Sequence, residues 1–386
     1  MIFVTGGTGF LGSHIAARLI KQGNEVILLV RSKKGIPAEE RVRRLLDWHG
    51  VEPGKKKKVR VIKGQLESPD LGLAPDAAAL LREVDEIVHC ASNTSFAERK
   101  RTGVEAVNVA GLYHVLDLAE RSGCKRFHLV STAYVAGVNA GSCPEELASP
   151  LAFTNVYEET KCRSERLAWD RCASAGIRLS ILRPTIVYGH SRTGRSLLFN
   201  ALYYPVRTAL FLKHLGETDI RERGGRRAAE LGIHLDGDGR TIMPIRIGVE
   251  DGSGVNLVPV DFFVDVFVAI REEDRGKGIF HIANARLTRI EDIIEWTQAL
   301  FNIGGIVALP AEELAGRPRN PLETVFDSYL EAYGPYMKDR RVFETKQAGP
   351  VLRRRGLRCP DFDEEMFARC MTFAVECGWG ARLFRE

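Results

Sequence analysis

The sequence predicts an α/β fold: a doubly wound parallel sheet with a smaller, mostly helical C-terminal lobe. Three observations predict it. Short apolar runs alternate with helical patterns through the first half of the chain, which is how parallel strands buried under helices read. The first run, Ile2-Phe3-Val4, opens into a glycine-rich turn, Thr5-Gly6-Gly7-Thr8-Gly9-Phe10-Leu11-Gly12, and a helical pattern follows. Beyond Gly189 the alternation stops. There Gly237, Gly239, Gly252 and Gly254 punctuate a charged stretch over 217–254, a texture of turns.

Taken in order, the first strand is followed by a helix over 11–22, with Ile15, Leu19 and Ile20 inward. Strands follow at 25–30, 59–63 and 86–90, then a helix over 103–122 and a strand at 126–131. A helix over 156–174 and a strand at 177–182 complete the series. The strands are short apolar runs and the helix over 11–22 repeats apolar residues about four apart. Further on, Val258-Pro259-Val260-Asp261 opens an amphipathic helix over 262–271, and 278–283 reads as another strand. Residues 289–301 read as a helix and 311–386 as mostly helical. There is no internal repeat and no low-complexity linker. Residues 1–190 are therefore expected to form the sheet domain and 191–386 the lobe, with about 255–285 returning to the sheet.

Composition narrows the function classes. The chain has 386 residues, 45% of them hydrophobic, and a net charge of +5. That excess is too small and too dispersed for a nucleic-acid partner. The densest run, Lys55-Lys56-Lys57-Lys58, reads as a solvated loop before a strand. The eight cysteines include no Cys-x-x-Cys pair and no metal-ligand spacing, so no metal is expected. Thiols in a reducing, cytoplasmic compartment are the expectation. Met1 leads directly into an apolar strand, with no signal-peptide pattern. The greasy stretch over 196–216 is interrupted by Arg207 and Lys213, and Pro205 would kink it. It is a poor transmembrane span. It reads as the wall of an apolar substrate pocket in preference to a peripheral membrane contact.

The glycine turn carries the first chemistry. Gly6 permits a tight turn, Gly9 lets backbone approach a pyrophosphate, and Gly12 lets helix pack on strand. Thr8, Phe10 and Leu11 complete the loop, whose helix N-terminus offers N–H groups and positive partial charge to phosphate. Placed between a strand and a helix, this is a dinucleotide cradle of a Rossmann fold. About twenty residues on, an acidic side chain would bind the ribose hydroxyls of NAD. The second strand instead ends Leu28-Leu29-Val30-Arg31, with Lys33 and Lys34 following and Arg41 beyond. Guanidinium groups at Arg31 and Arg41 suit the extra phosphate of NADP(H).

The second chemical signal is Tyr157-Glu158-Glu159-Thr160-Lys161, a phenol and an ammonium one helical turn apart. Upstream, Ser131-Thr132 ends a strand, where sheet ends meet the dinucleotide. A nearby ammonium is expected to lower the phenol's pKa so that it can exchange a proton. Thr132 can hold a carbonyl oxygen. His89 and His128 lie in apolar strands and read as core histidines.

With these motifs the chain resembles the extended short-chain dehydrogenase/reductase superfamily, and within it the fatty acyl-CoA reductase and thioester reductase branch, also called the male-sterility-protein type. The resemblance covers roughly residues 1–300. It rests on the glycine turn, Leu29-Val30-Arg31, Val61-Ile62-Lys63-Gly64-Gln65-Leu66 and Leu71-Gly72-Leu73. It rests equally on Val88-His89-Cys90-Ala91, Asn108-Val109-Ala110-Gly111, Val130-Ser131-Thr132-Ala133-Tyr134-Val135-Ala136-Gly137, the Tyr157 to Lys161 segment, and Arg183-Pro184-Thr185-Ile186-Val187-Tyr188-Gly189. The resemblance implies a catalytic triad of Thr132, Tyr157 and Lys161, with Lys161 also holding the nicotinamide ribose. It implies that Asn108 supports Lys161 through water and that Gln65 and Leu66 contact the adenine. Ala91 and Ser92 would flank the ribose and pyrophosphate, and Pro184, Thr185, Ile186 and Val187 would border the nicotinamide. Gln65 departs from the Asp usual in the family, so the adenine contacts are expected to differ from the family's.

The implied reaction is NADPH-dependent reduction of an acyl thioester, on CoA or a carrier protein, to an aldehyde, with the further step to the alcohol left open. The same triad would serve a ketone, aldehyde or hydroxysteroid-like alcohol oxidoreductase, or a nucleotide-sugar epimerase or dehydratase, so fold alone does not choose. A cofactor-sensing scaffold is a third reading, disfavoured because both Tyr157 and Lys161 are present. Arg192 and Arg195 would meet the phosphates of a CoA-like arm or stand as exposed loop arginines. The sequence leaves oligomeric state open.

Overall fold

A computed structural model describes residues 1–31, 35–74, 77, 80–138, 141–273 and 277–384; Lys33 and Lys34 lie outside them. The chain forms two units. The first comprises Met1–Val187, Val258–Ala283 and Arg341–Cys359, and the second Tyr188–Leu257, Asn284–Arg340 and Pro360–Glu386.

In the first unit, β1 (Ile2–Thr5), α1 (Phe10–Lys21), β2 (Val26–Val30), α2 (Ala38–Trp48) and β3 (Val59–Lys63) come first. Next are β4 (Glu86–His89), α3 (Arg101–Glu105), a π turn (Ala106–Ala110), α4 (Gly111–Ser122) and β5 (Arg126–Val130). Then come β6 (Gly141–Cys143), α5 (Val156–Ser174) and β7 (Arg178–Pro184). The returning segments add α6 (Val260–Glu273), β8 (Gly278–Ile282), β9 (Arg341–Phe343) and α7 (Ala348–Arg354). Seven strands form one parallel sheet in the order β8-β7-β5-β4-β1-β2-β3. This is the doubly wound order, with its reversal beside β1.

Side-chain alternation explains the layers. Val4, Val88, Val130 and Leu182 pack toward α1 and α6, with Ile15, Leu19, Phe263 and Phe267. Phe3, Ile87, Leu129 and Ile181 face the other way, toward α4 and α5, with Leu112, Val115, Leu116 and Ala168. Buried on both faces, these strands have to be apolar along their length.

Several sequence expectations need correction. The helix α2 was not foreseen. Its buried residues Ala38, Val42, Leu45 and Leu46 keep helical spacing, but Glu39, Glu40, Arg41, Arg43 and Arg44 between them mask the pattern. The lysine run is not a plain loop. Pro53–Lys56 is one helical turn, Lys56 pairs with Asp47, and Lys55 and Lys58 donate to the carbonyls of Lys21 and Gly23. The single helix expected over 103–122 starts at Arg101 and is interrupted by the π turn.

In the second unit, Tyr203–Glu222 is a helix whose buried face carries Val206, Ala209, Leu212 and Gly216. Pro205 sits in its first turn, where no intrahelical N–H is needed, so the expected kink does not arise. The unit also contains a three-stranded sheet, with Thr241–Val249 parallel to Ile303–Pro310 and antiparallel to His234–Leu235. The sequence reading saw only turns there, because Pro244, Arg246 and Gly248 interrupt the alternation of Thr241, Met243 and Ile245. Helices Ile290–Phe301 and Pro321–Leu330 pack on this sheet, the latter closed by a capping box of Asn320 and Glu323. Among the described residues no helix is long and apolar enough to cross a membrane.

Candidate active site

The glycine turn takes the form its spacing requires. Gly6 has φ +71°, and a Cβ there would lie 2.6 Å from the Ala91 backbone nitrogen. A Cβ on Gly12 would come within 2.2 Å of the Gly6 carbonyl oxygen. No side chain caps the N-terminus of α1 at Gly9, and no acid lies in its first turn. The helix therefore presents N–H groups and positive partial charge at the open end of β1. These features fit the pyrophosphate of a dinucleotide. Thr5 Oγ1 shares a hydrogen bond of 2.9 Å with His89 Nδ1 and accepts one from the Ala91 N–H, locking β1 to β4 beneath the cradle. Burial, then the Lys161 charge, push His89 down to about 3, so it stays neutral.

Beside the cradle, Arg41 donates through Nη2 to Thr8 Oγ1 at 3.1 Å and through Nη1 to the Arg31 carbonyl at 2.8 Å. Arg31 is exposed at the end of β2. Among the described residues neither guanidinium meets a carboxylate, and burial and the Arg31 charge lower the pKa of Arg41. Two cations thus stand where a ribose-binding acid would stand in an NAD site. On the far side, the Gln65 N–H donates to the Leu71 carbonyl and its side chain to Ser68, while Leu66 is buried.

The π turn aims Asn108 at the loop after β4. Its Oδ1 accepts from Ser92 Oγ and the Asn93 N–H, and its Nδ2 donates to the Asn93 carbonyl and to Thr160 Oγ1. Its backbone carbonyl accepts from Ser164 Oγ at 2.7 Å. The amide is thus fully engaged with protein groups. These bonds make Asn108 a staple joining that loop to α5. π turns recur at functional sites.

Asn155 caps α5, its side chain accepting the Glu158 N–H at 3.1 Å. Tyr157 follows in the first turn and Lys161 one turn later, on the face toward the end of β5. Thr132 hydrogen-bonds Tyr157 and also accepts the Tyr134 N–H at 3.3 Å. Lys161, 2% exposed, donates to the Val130 carbonyl at 2.6 Å. The hydroxyl, phenol and ammonium therefore converge on residues 130–132. The expectation that Lys161 lowers the phenol's pKa is corrected. Burial raises Tyr157 well above its ordinary value, aided by Cys90 and Glu158, and only the Thr132 hydrogen bond opposes it. The same burial lowers Lys161 to about 8, against Glu165 and Cys90.

Pro184 closes β7 opposite Ile282, and the Thr185 N–H donates to the Ile282 carbonyl at 3.1 Å. Ile186 and Val187 follow, half-buried. Sequence reasoning missed two neighbours of the phenol. Cys90, its thiol pushed up to about 12 by burial, interacts with both Tyr157 and Lys161. The ring of Phe96 stands 6.1 Å from that of Tyr157. Their only signal is position, just beyond the end of β4. Arg192 and Arg195 belong to the second unit, in a turn where the Arg192 N–H donates to His190 Nδ1.

An arrangement of this kind can hold a carbonyl oxygen with two hydroxyls and hand it a proton beside a bound dinucleotide. Comparison with known proteins agrees with the geometry. The fatty acyl-CoA reductase wat of Drosophila melanogaster is 29% identical over 203 residues, 50% of this chain and 37% of the fly protein. The chain spans about two fifths of the length of such curated relatives. Among solved structures, the terminal R domain of the myxalamid PKS-NRPS pathway superposes with a TM-score of 0.74 at 21% identity, covering 98% of this chain and 91% of that one. A thiolation-reductase di-domain of an archaeal non-ribosomal peptide synthetase gives 0.71 at 18% identity, over 98% of this chain and 76% of that one. The male sterility protein family matches residues 4–267. The sheet order, the cradle and this match together make the chain a member of the male sterility protein family, within the fatty acyl-CoA reductase and thioester reductase branch of the extended short-chain dehydrogenase/reductases.

Proposed function

We propose that this chain uses NADPH to reduce an acyl thioester, carried on CoA or on a carrier protein, releasing the thiol and an aldehyde. The observation that carries the reading is the convergence of Thr132, Tyr157 and Lys161 at the end of β5, beside the cradle. The family and the named reductases support the substrate class. Arg31 and Arg41, free of carboxylate partners among the described residues, support NADPH over NADH.

Bound in the cradle, the cofactor supplies the hydride for the thioester carbonyl carbon. The chain's residues do the rest. Thr132 Oγ1 and the Tyr157 hydroxyl hold the carbonyl oxygen as it becomes negative. Its raised pKa keeps the Tyr157 phenol protonated at neutral pH, so it acts as donor. Collapse of the resulting hemithioacetal breaks the C–S bond: its hydroxyl proton passes back through the Tyr157 oxygen to the departing sulfur, which leaves as thiol while the aldehyde C=O forms. Lys161, which donates to the Val130 carbonyl, would hold the ribose hydroxyls of the bound cofactor and set its positive charge near the phenol. A second round on the aldehyde gives the alcohol, with Tyr157 donating to the alkoxide. The cysteines remain thiols, which fits a reducing, cytoplasmic setting.

The test is mass spectrometry of products from NADPH and a panel of acyl-CoA and acyl-carrier thioesters. Free thiol with aldehyde or alcohol is expected. Turnover of ketones or secondary alcohols with no thiol released from any thioester overturns the reading in favour of simple carbonyl exchange.

A further inference from the structure

We propose that Arg341 is a positioning residue for Thr132: it pins the turn after Thr132 from far along the chain and so fixes the contact between Thr132 and Tyr157. This rests on the reading of Thr132 as catalytic.

Before Thr132 the Ser131 N–H donates to the Leu182 carbonyl at 2.7 Å; after it the local structure is a single turn. Thr132 is the N-cap of this 3-10 turn, Ala133–Ala136, whose last carbonyl is followed by Gly137 at φ +65°. Three backbone bonds hold the turn to itself and to Ala152. A turn so short has weak intrinsic stability, yet Thr132 has to keep its hydroxyl on the phenol.

Arg341 adds a long-range restraint on the end of this turn. It is 5% exposed and lies 204 residues beyond Gly137. Its Nη1 donates to the Gly137 carbonyl at 2.9 Å, and its guanidinium lies 4.6 Å above the Tyr134 ring. Phe343 meets the same ring edge-on at 5.7 Å. Tyr134, whose N–H donates to Thr132 Oγ1, is thus held through its ring by two residues of the 341–343 segment. A cation over an aromatic face is attracted to it, the more so when desolvated.

The grip is anchored in turn. β9, which carries Arg341, pairs in parallel with β6. The Glu145 carboxylate accepts from the backbone N–H groups of His281, Gln347 and Ala348. His281 Nδ1 shares a hydrogen bond with the Glu344 carbonyl at 2.7 Å. The segment 341–348 is therefore fastened to the sheet independently of Arg341. Arg341 is also the first residue after the chain leaves the second unit.

The experiment compares Arg341→Ala, Arg341→Lys, Thr132→Ala and the Thr132→Ala/Arg341→Ala double variant. It measures kcat with a thioester, NADPH affinity by fluorescence, and amide hydrogen exchange over 130–138. Arg341→Ala is expected to lower kcat by about tenfold or more, as a small misplacement does, with NADPH affinity changed by less than about twofold. Arg341→Lys, which keeps a cation and a donor, recovers part of the loss. The double variant turns over no more slowly than Thr132→Ala alone, because the two act as a unit. Exchange quickens over 133–137 and is unchanged in β5 and β7. A wild-type kcat in Arg341→Ala, additive losses in the double variant, or unaltered exchange over 133–137 overturns the proposal. If Arg341→Ala does not fold, Arg341→Lys and Tyr134→Leu carry the same comparison. If the wild-type chain reduces no thioester, the functional reading fails, while the exchange data still decide whether Arg341 holds the turn.

Discussion

Tyr157 is set in surroundings that oppose its ionisation. Its phenol is therefore a donor in the resting site, and removing it should remove proton transfer. Tyr157→Phe is expected to cut kcat by about a hundredfold or more, with NADPH affinity retained; an activity near wild type contradicts the proposed role. Lys161 has a folded pKa of about 8, below the ordinary 10.5. Its ammonium is complete below that pH and lost above it. NADPH affinity should then be flat below about pH 7 and fall as pH rises through about 8, and this limb should vanish in Lys161→Met. At the cradle, Arg31→Ala should weaken NADPH far more than NADH, checked by the two dissociation constants. The residue types at these positions were legible, because a glycine turn between strand and helix and a phenol one turn before an ammonium are local patterns. The direction of the phenol's shift was not. It depends on burial beside Cys90 and Glu158, which tertiary packing decides.

The elements show where local pattern stops being enough. β3 and α5 were legible to the residue, β3 from its run of Val59, Val61 and Ile62 and α5 from its local motif and not from apolar period, since its buried residues include Glu158, Thr160, Lys161, Ser164 and Glu165. The π turn was not, since its single extra residue leaves the apolar spacing of 101–122 intact while turning Asn108 toward Ser92 and Thr160. Asn108→Ala should unfasten that staple and leave buried partners unsatisfied, lowering stability by about 1–3 kcal/mol; an unchanged denaturation midpoint would show that the turn holds without it. The strand Thr241–Val249 was missed for the converse reason. Its partner Ile303–Pro310 is more than fifty residues away in sequence, and pairing, not propensity, tolerates Pro244 within it.

For the whole molecule, acid should be the weak flank. Burial first, and then the charge of Arg183, hold His281 down to about 4, as burial and Lys161 hold His89 near 3. Both are neutral in the fold, whereas the unfolded chain protonates them near 6.5. Their contribution is complete above that pH and is lost as pH falls toward 4 and 3. Each imidazole should cost about 2 kcal/mol by about pH 5. Glu86 adds to the same trend. Burial alone would raise its pKa, but hydrogen bonds from His128 and Arg271 overcome it and hold the carboxyl near 2. Its share is present above the ordinary carboxylate range and lost as pH falls toward 2. Urea midpoints measured from about pH 7 to pH 4 should decline steadily; a flat profile would contradict the buried neutral histidines.

The sheet draws its outermost strand, β8, from residues well beyond β7, with the first segment of the second unit, Tyr188–Leu257, encoded between them. A ribosome delivering the chain at its usual pace leaves β7 without its outer neighbour for on the order of ten seconds. During that interval the nascent first half carries an open hydrogen-bonding edge, the kind of surface that recruits other chains. The order of synthesis thus leaves the half-built sheet open to edge pairing until β8 has been made.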